Sequence, residues 1–290
     1  MIDGLPSWSP DGQFIAYISD PPYTPNSPIE QAVHIVREDG SQLNRFSDNL
    51  NVRWERPVWS SDGKKLSFAA KDPLKDELGI NLYAAVVESG DVHELTALPG
   101  DELGSRWSPD GTQLAFVWFP EGFRWESSQG AAIRIINAEG NSDVVAENFA
   151  NIGDLTWNPD GTHLAFWGSL STDCPDDDCT QVYVVDLMSN SIECLTEQYE
   201  FVVTGETAWS PDGERIAFTA RAPRAAAIYT ITPDGESLSR LTSPAAYAGR
   251  DLVWAPDGKS IAFVRGIEGE KWHIWFVEIE GGKLRKLKLP

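Results

Sequence analysis

Short apolar stretches recur along this chain at a steady interval, each bounded by turn-forming residues and each too brief for a helix of ordinary length. The clearest are triplets in apolar–small–aromatic order, such as Ile15-Ala16-Tyr17, Leu114-Ala115-Phe116 and Leu164-Ala165-Phe166. They predict strands that follow a tight turn. A further run lies downstream of each triplet, as in Ala32–Val36, Ile133–Ile136 and Ile228–Ile231. Those runs close on the pairs Asp39-Gly40, Glu139-Gly140, Asp234-Gly235 and Gly281-Gly282, which signal hairpins. The stretch after such a pair is shorter and more polar, as in Glu236–Thr242, and suits an outer edge strand that must resist pairing with other molecules.

Each triplet is preceded, two residues earlier, by one motif. Its copies begin at Trp8, Trp59, Trp107, Trp157, Trp209 and Trp254, and each places an aspartate three residues on: Asp11, Asp62, Asp110, Asp160, Asp212 and Asp257. In the Trp-Ser-Pro-Asp-Gly form, Pro presets its φ, Asp bonds the turn backbone and Gly accepts a positive φ. The motif therefore predicts a reversal between two strands, with the tryptophan filling the space between neighbouring sheets. Successive tryptophans stand 45 to 52 residues apart, the length of one four-stranded propeller blade. The expected fold is all-β: a six-bladed β-propeller with four antiparallel strands per blade. The blades span approximately 3–47, 54–97, 102–147, 152–197, 204–242 and 249–289, so the 290 residues form a single domain.

The element W-S-P-D-G-x-x-[IL]-A-[FY] resembles the WD40-like PD40 repeat of TolB-type propellers. The resemblance runs through all six copies, with departures at Ser61, Ser67, Asn158 and Ala255. It implies a non-catalytic scaffold that binds a protein or peptide. The same kind of propeller also occurs as one domain of larger proteins, among them prolyl-oligopeptidase-type peptidases and bacterial sensors. Both implications stand, together with a metal-dependent, sugar-active enzyme of the kind seen in the related oligogalacturonate lyases.

Charge narrows the partners. A formal net charge of −21 excludes nucleic acid, which needs dense Lys and Arg, and an anionic membrane surface. It serves solubility or attracts cations and basic partners. No window carries the ~18 apolar residues a membrane helix requires. The segment Met1–Pro6 has neither the basic nor the apolar part of a signal peptide. The expectation is a periplasmic or extracellular monomer whose leader has been removed, with a cytoplasmic protein as the alternative. Cys174 and Cys179 flank a small acidic loop, and Cys194 stands apart. A disulfide closing that loop and a pair of free thiols are both open readings.

The Pro-Asp-Gly turns read as structural, so recognition is expected on the opposite face, where the connections vary most. Glu55, Glu102, Asp154, Glu206 and Asp251 recur just before the first strand of a blade. They either ring one mouth of the channel, where a cation or basic peptide would offset their charge, or point into water. Trp118, Phe119, Phe123, Arg124 and Trp125 have the composition of an interface hot spot, or else fold back onto their own blade. Tyr23 sits in a proline-rich loop suited to recognition. The four aspartates at 173 and 176–178 form either a calcium-binding loop or a solvated tip. No G-x-S-x-G, H-E-x-x-H or phosphate-binding glycine loop is present, and His34, His93, His163 and His273 occupy unlike places in their repeats. No catalytic residue and no resident cofactor is expected.

Overall fold

The computed structural model describes residues 2–20, 31–37, 39–41, 44–46, 50–53, 55–75, 79–122, 130–137, 140–170, 179–222, 225–243, 249–266 and 273–287. Every element in them is a strand. The first repeat supplies β1 (Ile2–Trp8), β2 (Phe14–Asp20), β3 (Ala32–Arg37) and β4 (Asn44–Phe46). In the second, the opening strand is interrupted into β5 (Asn51–Val52) and β6 (Val58–Trp59), followed by β7 (Lys65–Lys71), β8 (Asn81–Val86) and β9 (Val92–Glu94). The third supplies β10 (Asp101–Trp107), β11 (Gln113–Phe119) and β12 (Ala131–Asn137). β13 (Ser142–Trp157) closes the third repeat and opens the fourth, which continues with β14 (His163–Leu170), β15 (Gln181–Asp186) and β16 (Ser191–Cys194). The fifth holds β17 (Val202–Trp209), β18 (Ile216–Ala222), β19 (Ala225–Ile231) and β20 (Leu238–Arg240). The sixth holds β21 (Arg250–Trp254), β22 (Ser260–Arg265), β23 (His273–Glu278) and β24 (Leu284–Lys286).

Sheets follow chain order as antiparallel meanders. Three are four-stranded, one of five strands contains both β5 and β6 paired to β7, and one of seven runs β10 to β16 because β13 is continuous. The chain divides into two compact units, Met1–Phe123 with Ala131–Val144 and Arg124–Gly130 with Val145–Pro290.

The turn motif builds the same hydrogen-bond set each time. Ser9 Oγ donates to Asp11 at 2.5 Å and accepts the Phe14 N–H at 2.9 Å, while Asp11 accepts the Gln13 N–H at 3.0 Å. Ser60–Asp62, Ser108–Asp110 and Ser210–Asp212 repeat it. Asn158 keeps it with an amide in place of a hydroxyl, its Oδ1 accepting the His163 N–H at 2.8 Å. Ala255 alone lacks a side-chain acceptor, although Lys259 N–H still reaches Asp257 at 3.0 Å. These bonds hold the carboxyls of Asp11, Asp62, Asp110, Asp160 and Asp212 below the usual aspartate range. A side-chain hydroxyl is the main cause at four of them, and the Lys64 amide at Asp62.

The strands after the second to fifth turns are buried on both faces, so their triplets do not alternate between core and water, whereas Ile15-Ala16-Tyr17 and Ile261-Ala262-Phe263 alternate between buried and half-buried positions. Leu114-Ala115-Phe116, Leu164-Ala165-Phe166 and Ile216-Ala217-Phe218 are each no more than 1% exposed. Ser67, the polar departure in the second triplet, is also buried. Its hydroxyl is satisfied by Val58 C=O at 3.3 Å and Ser105 Oγ at 3.1 Å. The aromatic of the triplet faces an aromatic of the next strand in register: Phe68 with Tyr83, Phe166 with Tyr183 and Phe218 with Tyr229, at 5.9, 5.4 and 5.8 Å between centroids. Such cross-strand pairs add about 0.5–1.5 kcal/mol beyond their burial.

Two outcomes follow from the turns. Restoring the missing hydroxyl with Ala255→Ser raises unfolding free energy by about 1 kcal/mol, and Ser210→Ala lowers it by a similar amount, measured in urea. The depressed aspartates stabilise the fold fully above the ordinary carboxyl pKa of 3.8 and lose that contribution as pH falls below it, so the urea midpoint drops on acidification through that range.

Candidate functional site

The first strand of a repeat cannot run straight into its tryptophan. Its register against the second strand slips between Leu103 and Arg106, between Gly153 and Thr156, and between Arg250 and Val253. The residue three before the tryptophan takes up the slip in a left-handed conformation: Gly104 at φ 66°, Asp154 at 46°, Glu206 at 45° and Asp251 at 57°. Glycine accepts this freely, whereas for Asp and Glu it costs on the order of 1 kcal/mol. The bulge turns its amides away from the ladder and leaves them needing acceptors.

Carboxylates of the preceding repeat meet that need. Glu55 Oε1 accepts the Gly104 N–H at 2.5 Å, joining the second repeat to the third. Asp154 Oδ2 accepts the Glu206 N–H at 3.0 Å and the Trp167 indole N–H at 3.2 Å. The Thr207 hydroxyl donates to Asp154 C=O at 2.7 Å. Glu206 Oε2 in turn accepts the Leu252 N–H at 2.7 Å, carrying the link from the fifth repeat to the sixth. Burial pushes the Glu206 carboxyl above its ordinary range, and the neighbouring charges of Asp154 and Asp251 add to that. The motif tryptophans reinforce two junctions: Trp59 donates to Ser7 C=O at 3.1 Å, and Trp254 to Ala208 C=O at 2.9 Å.

Glu102 is placed differently. It stands five residues before Trp107, is fully buried, and reaches back to the second repeat. Its carboxylate takes the Thr96 hydroxyl and the Leu82 N–H at 3.2 Å, with the Leu98 N–H at 3.4 Å. Burial raises its pKa to about 7 against those lowering bonds. Thr96 also accepts the Leu82 N–H at 2.9 Å, and Thr196 and Thr242 do the same for Val182 and Ile228. This threonine at the end of the fourth strand is a second repeated lock, visible in the sequence as Leu95-Thr96, Leu195-Thr196 and Leu241-Thr242.

The two expectations for the five acidic residues, a charged ring or side chains directed into water, therefore miss what Glu55, Glu102, Asp154 and Glu206 do. They bind amides between adjacent repeats; Asp251 is exposed. The residues also fall into three classes by distance from the tryptophan. Asp154, Glu206 and Asp251 lie three before it, Glu55 four and Glu102 five. Counting from the tryptophan would have separated them.

Of the aromatic group, Trp118 and Phe119 belong to strand β11 and not to a loop. Phe119 is 5% exposed, which agrees with its folding back onto its own sheet and not with a hot spot open to a partner. Trp118 is half-buried, donates to Pro99 C=O at 2.9 Å, and has the Arg134 guanidinium 5.8 Å from its ring centroid. Phe123, Arg124, Trp125, Tyr23, Cys174 and the aspartates at 173 and 176–178 lie outside the described residues. Cys179 is disulfide-bonded and Cys194 is a free thiol. Trp8 is 53% exposed, whereas Trp59, Trp157, Trp209 and Trp254 are at most 9%. Among the described residues, no group of three or more His, Cys, Asp or Glu side chains is arranged to hold a metal ion, and no helix is long and apolar enough to cross a membrane.

Meandering antiparallel sheets built on a tryptophan-turn repeat define a β-propeller. Residues 103–288 match the model of the TolB β-propeller domain, PD40, and the chain belongs to that family. An uncharacterized protein of Agrobacterium fabrum is 25% identical over 224 residues, covering 74% of this chain and 69% of the relative. Dipeptidyl-peptidase 5 of Porphyromonas gingivalis is 22% identical, covering 96% of this chain and 46% of the peptidase. The chain thus spans about half the length of that peptidase. Among solved structures, an oligogalacturonate lyase from Vibrio parahaemolyticus superimposes with a TM-score of 0.71 at 14% identity, over 97% of this chain and 75% of the lyase. At that identity the likeness is one of fold.

Substitutions at two positions, Asp154 and Glu102, separate the linking role from a ligand-binding one. Asp154→Ala removes the acceptor for the Glu206 amide and lowers unfolding free energy by about 1.5–3 kcal/mol, while Asp154→Asn, which keeps an oxygen, retains part of it. For Glu102 the folded pKa of about 7 lies above the ordinary 4.5, so its contribution is fully present below pH 4.5 and is lost as pH rises through 7. Glu102→Gln flattens that alkaline decline in thermal melts taken from pH 5 to pH 8.

Proposed function

We propose that this chain is a six-bladed propeller acting as a non-catalytic scaffold for a protein or peptide. The observation that carries the reading is the match to the TolB β-propeller domain across the last four of the six repeats. The first two contain the same motif and turn bonds. On this reading each repeat is one blade, with the seven-stranded sheet being two blades joined through β13, and the single domain runs 1–290 with the boundaries set by the tryptophans. The acidic residues need no resident cation, because backbone amides already meet Glu55, Asp154 and Glu206. The disulfide at Cys179 supports an oxidising compartment, periplasmic or extracellular.

Partner recognition falls to what differs between repeats. In the third repeat that is the segment from Trp118 to Trp125, where the half-buried Trp118 ring and Arg134 present an aromatic–cationic pair. Affinity capture from a cell-envelope extract, comparing wild type with Trp118→Ala/Trp125→Ala, tests this. The double variant recovers markedly less of the partner; equal recovery contradicts the assignment.

A second reading is favoured by the alignment to dipeptidyl-peptidase 5 over 96% of this chain: the propeller serves as the non-hydrolytic part of a longer peptidase. Under either reading the isolated chain leaves chromogenic dipeptide substrates uncleaved, and measurable turnover contradicts both. A reading frame that continues past Pro290 into a G-x-S-x-G domain decides for the peptidase.

A further inference from the structure

The Pro-Asp-Gly turns of the fifth and sixth repeats border a cleft of about 780 Å³, within the size range of ligand pockets. Arg215 enters it from the turn between β17 and β18, Lys259 from the turn between β21 and β22, and Lys283 and Arg285 from the hairpin of β23 and β24. The rings of Trp254 and Phe276 line it between these cations. Three acidic residues, Asp212, Glu278 and Glu280, share the lining against these four cations, and Ser210, the Glu214 N–H and the charge of Arg215 hold Asp212 ionised. A smaller cleft of about 350 Å³ shares Ile279 with it and adds Arg240.

Three features make this a site and not an ordinary charged surface. Its sign opposes that of the molecule: residues 249–289 hold eight Lys or Arg against six Asp or Glu, whereas the whole chain holds 23 against 44. No salt bridge among the described residues engages Arg215, Lys259, Lys283 or Arg285; the described one is Lys75–Glu94, elsewhere. Arg285 is already positioned, its guanidinium 4.3 Å from the Phe276 ring centroid. Stacking of this kind holds the planar fork flat and leaves its N–H edge free for a carboxylate.

We propose that this cleft binds an acidic peptide segment, its carboxylates on Arg215, Lys259, Lys283 and Arg285 and its apolar atoms on Trp254 and Phe276. A nucleic acid would present a long run of phosphates to a chain of net charge −21, and that repulsion disfavours it. A short peptide confines its negative charge to the basic cleft. The site uses none of the residues of the Trp118–Trp125 segment and gives the Pro-Asp-Gly turns of these two repeats a role beyond reversing the chain.

Fluorescence anisotropy with a fluorescein-labelled oligoglutamate peptide at low ionic strength tests the proposal. Saturable binding is expected, with no binding of an oligoglutamine peptide of equal length and loss on adding salt. Arg215→Gln/Arg285→Gln weakens affinity at least about tenfold, while Arg37→Gln, at a position outside the lining residues, leaves it unchanged. Thermal melts of both variants verify folding; if the first double variant is impaired, Lys259→Gln/Lys283→Gln, at two exposed positions, replaces it with the same expected loss. Absence of saturable binding, equal affinity in wild type and cleft variants, or equal displacement by tripolyphosphate overturns the proposal. Each outcome is independent of partner capture through Trp118 and Trp125.

Discussion

The hydrogen bond that a bulge amide of one repeat donates to a carboxylate of the preceding repeat is the interaction on which the rest of this structure depends. A propeller blade is a four-stranded sheet too small to stand alone, and its innermost strand must bend to meet its neighbour. The bend is made by a left-handed residue three before the tryptophan, and it frees amides that hydrophobic packing cannot satisfy. Asp154 and Glu206 each do two jobs: the backbone adopts the bulge, and the side chain caps the bulge that follows. A strained backbone is thereby tied to a charge-assisted bond in the adjacent repeat.

The same arrangement separates scaffold from recognition. Glu55, Asp154 and Glu206 accept backbone amides of the next repeat, and Glu102 is closed off by Leu82, Leu98 and Thr96. On the proposed reading, binding chemistry belongs to positions where repeats differ: the segment after Trp118 in the third repeat, and the cluster of cations that the sixth repeat carries against the acidic background of the chain. Family membership in the TolB β-propeller domain agrees with that division, since the repeat specifies the framework and leaves its rims to vary.

Much of the framework was legible from the amino-acid order. The tryptophans, the Pro-Asp-Gly turns and the apolar triplets mark strands at an even interval, and the turn bonds form as the residue types require, including at the amide of Asn158. Two features were not legible. Burial of the second to fifth triplets on both faces erases the alternation that normally orients a strand, so the pairing of Phe166 with Tyr183 does not follow from residue order alone. The acidic residues resembled one another in type and approximate position, yet their work is set by the offset from the tryptophan and by a backbone sign that no composition reveals.

Native-state amide hydrogen exchange at Gly104, Glu206 and Leu252 tests the central claim most directly, because these amides lie at bulges outside the regular ladder and are protected only if the carboxylates bind them. The account predicts that all three exchange as slowly as amides of neighbouring strands, and that Asp154→Ala releases Glu206 while leaving Gly104 protected. Exchange at the rate of an open loop in the wild-type protein, or no change at Glu206 in the variant, would contradict it.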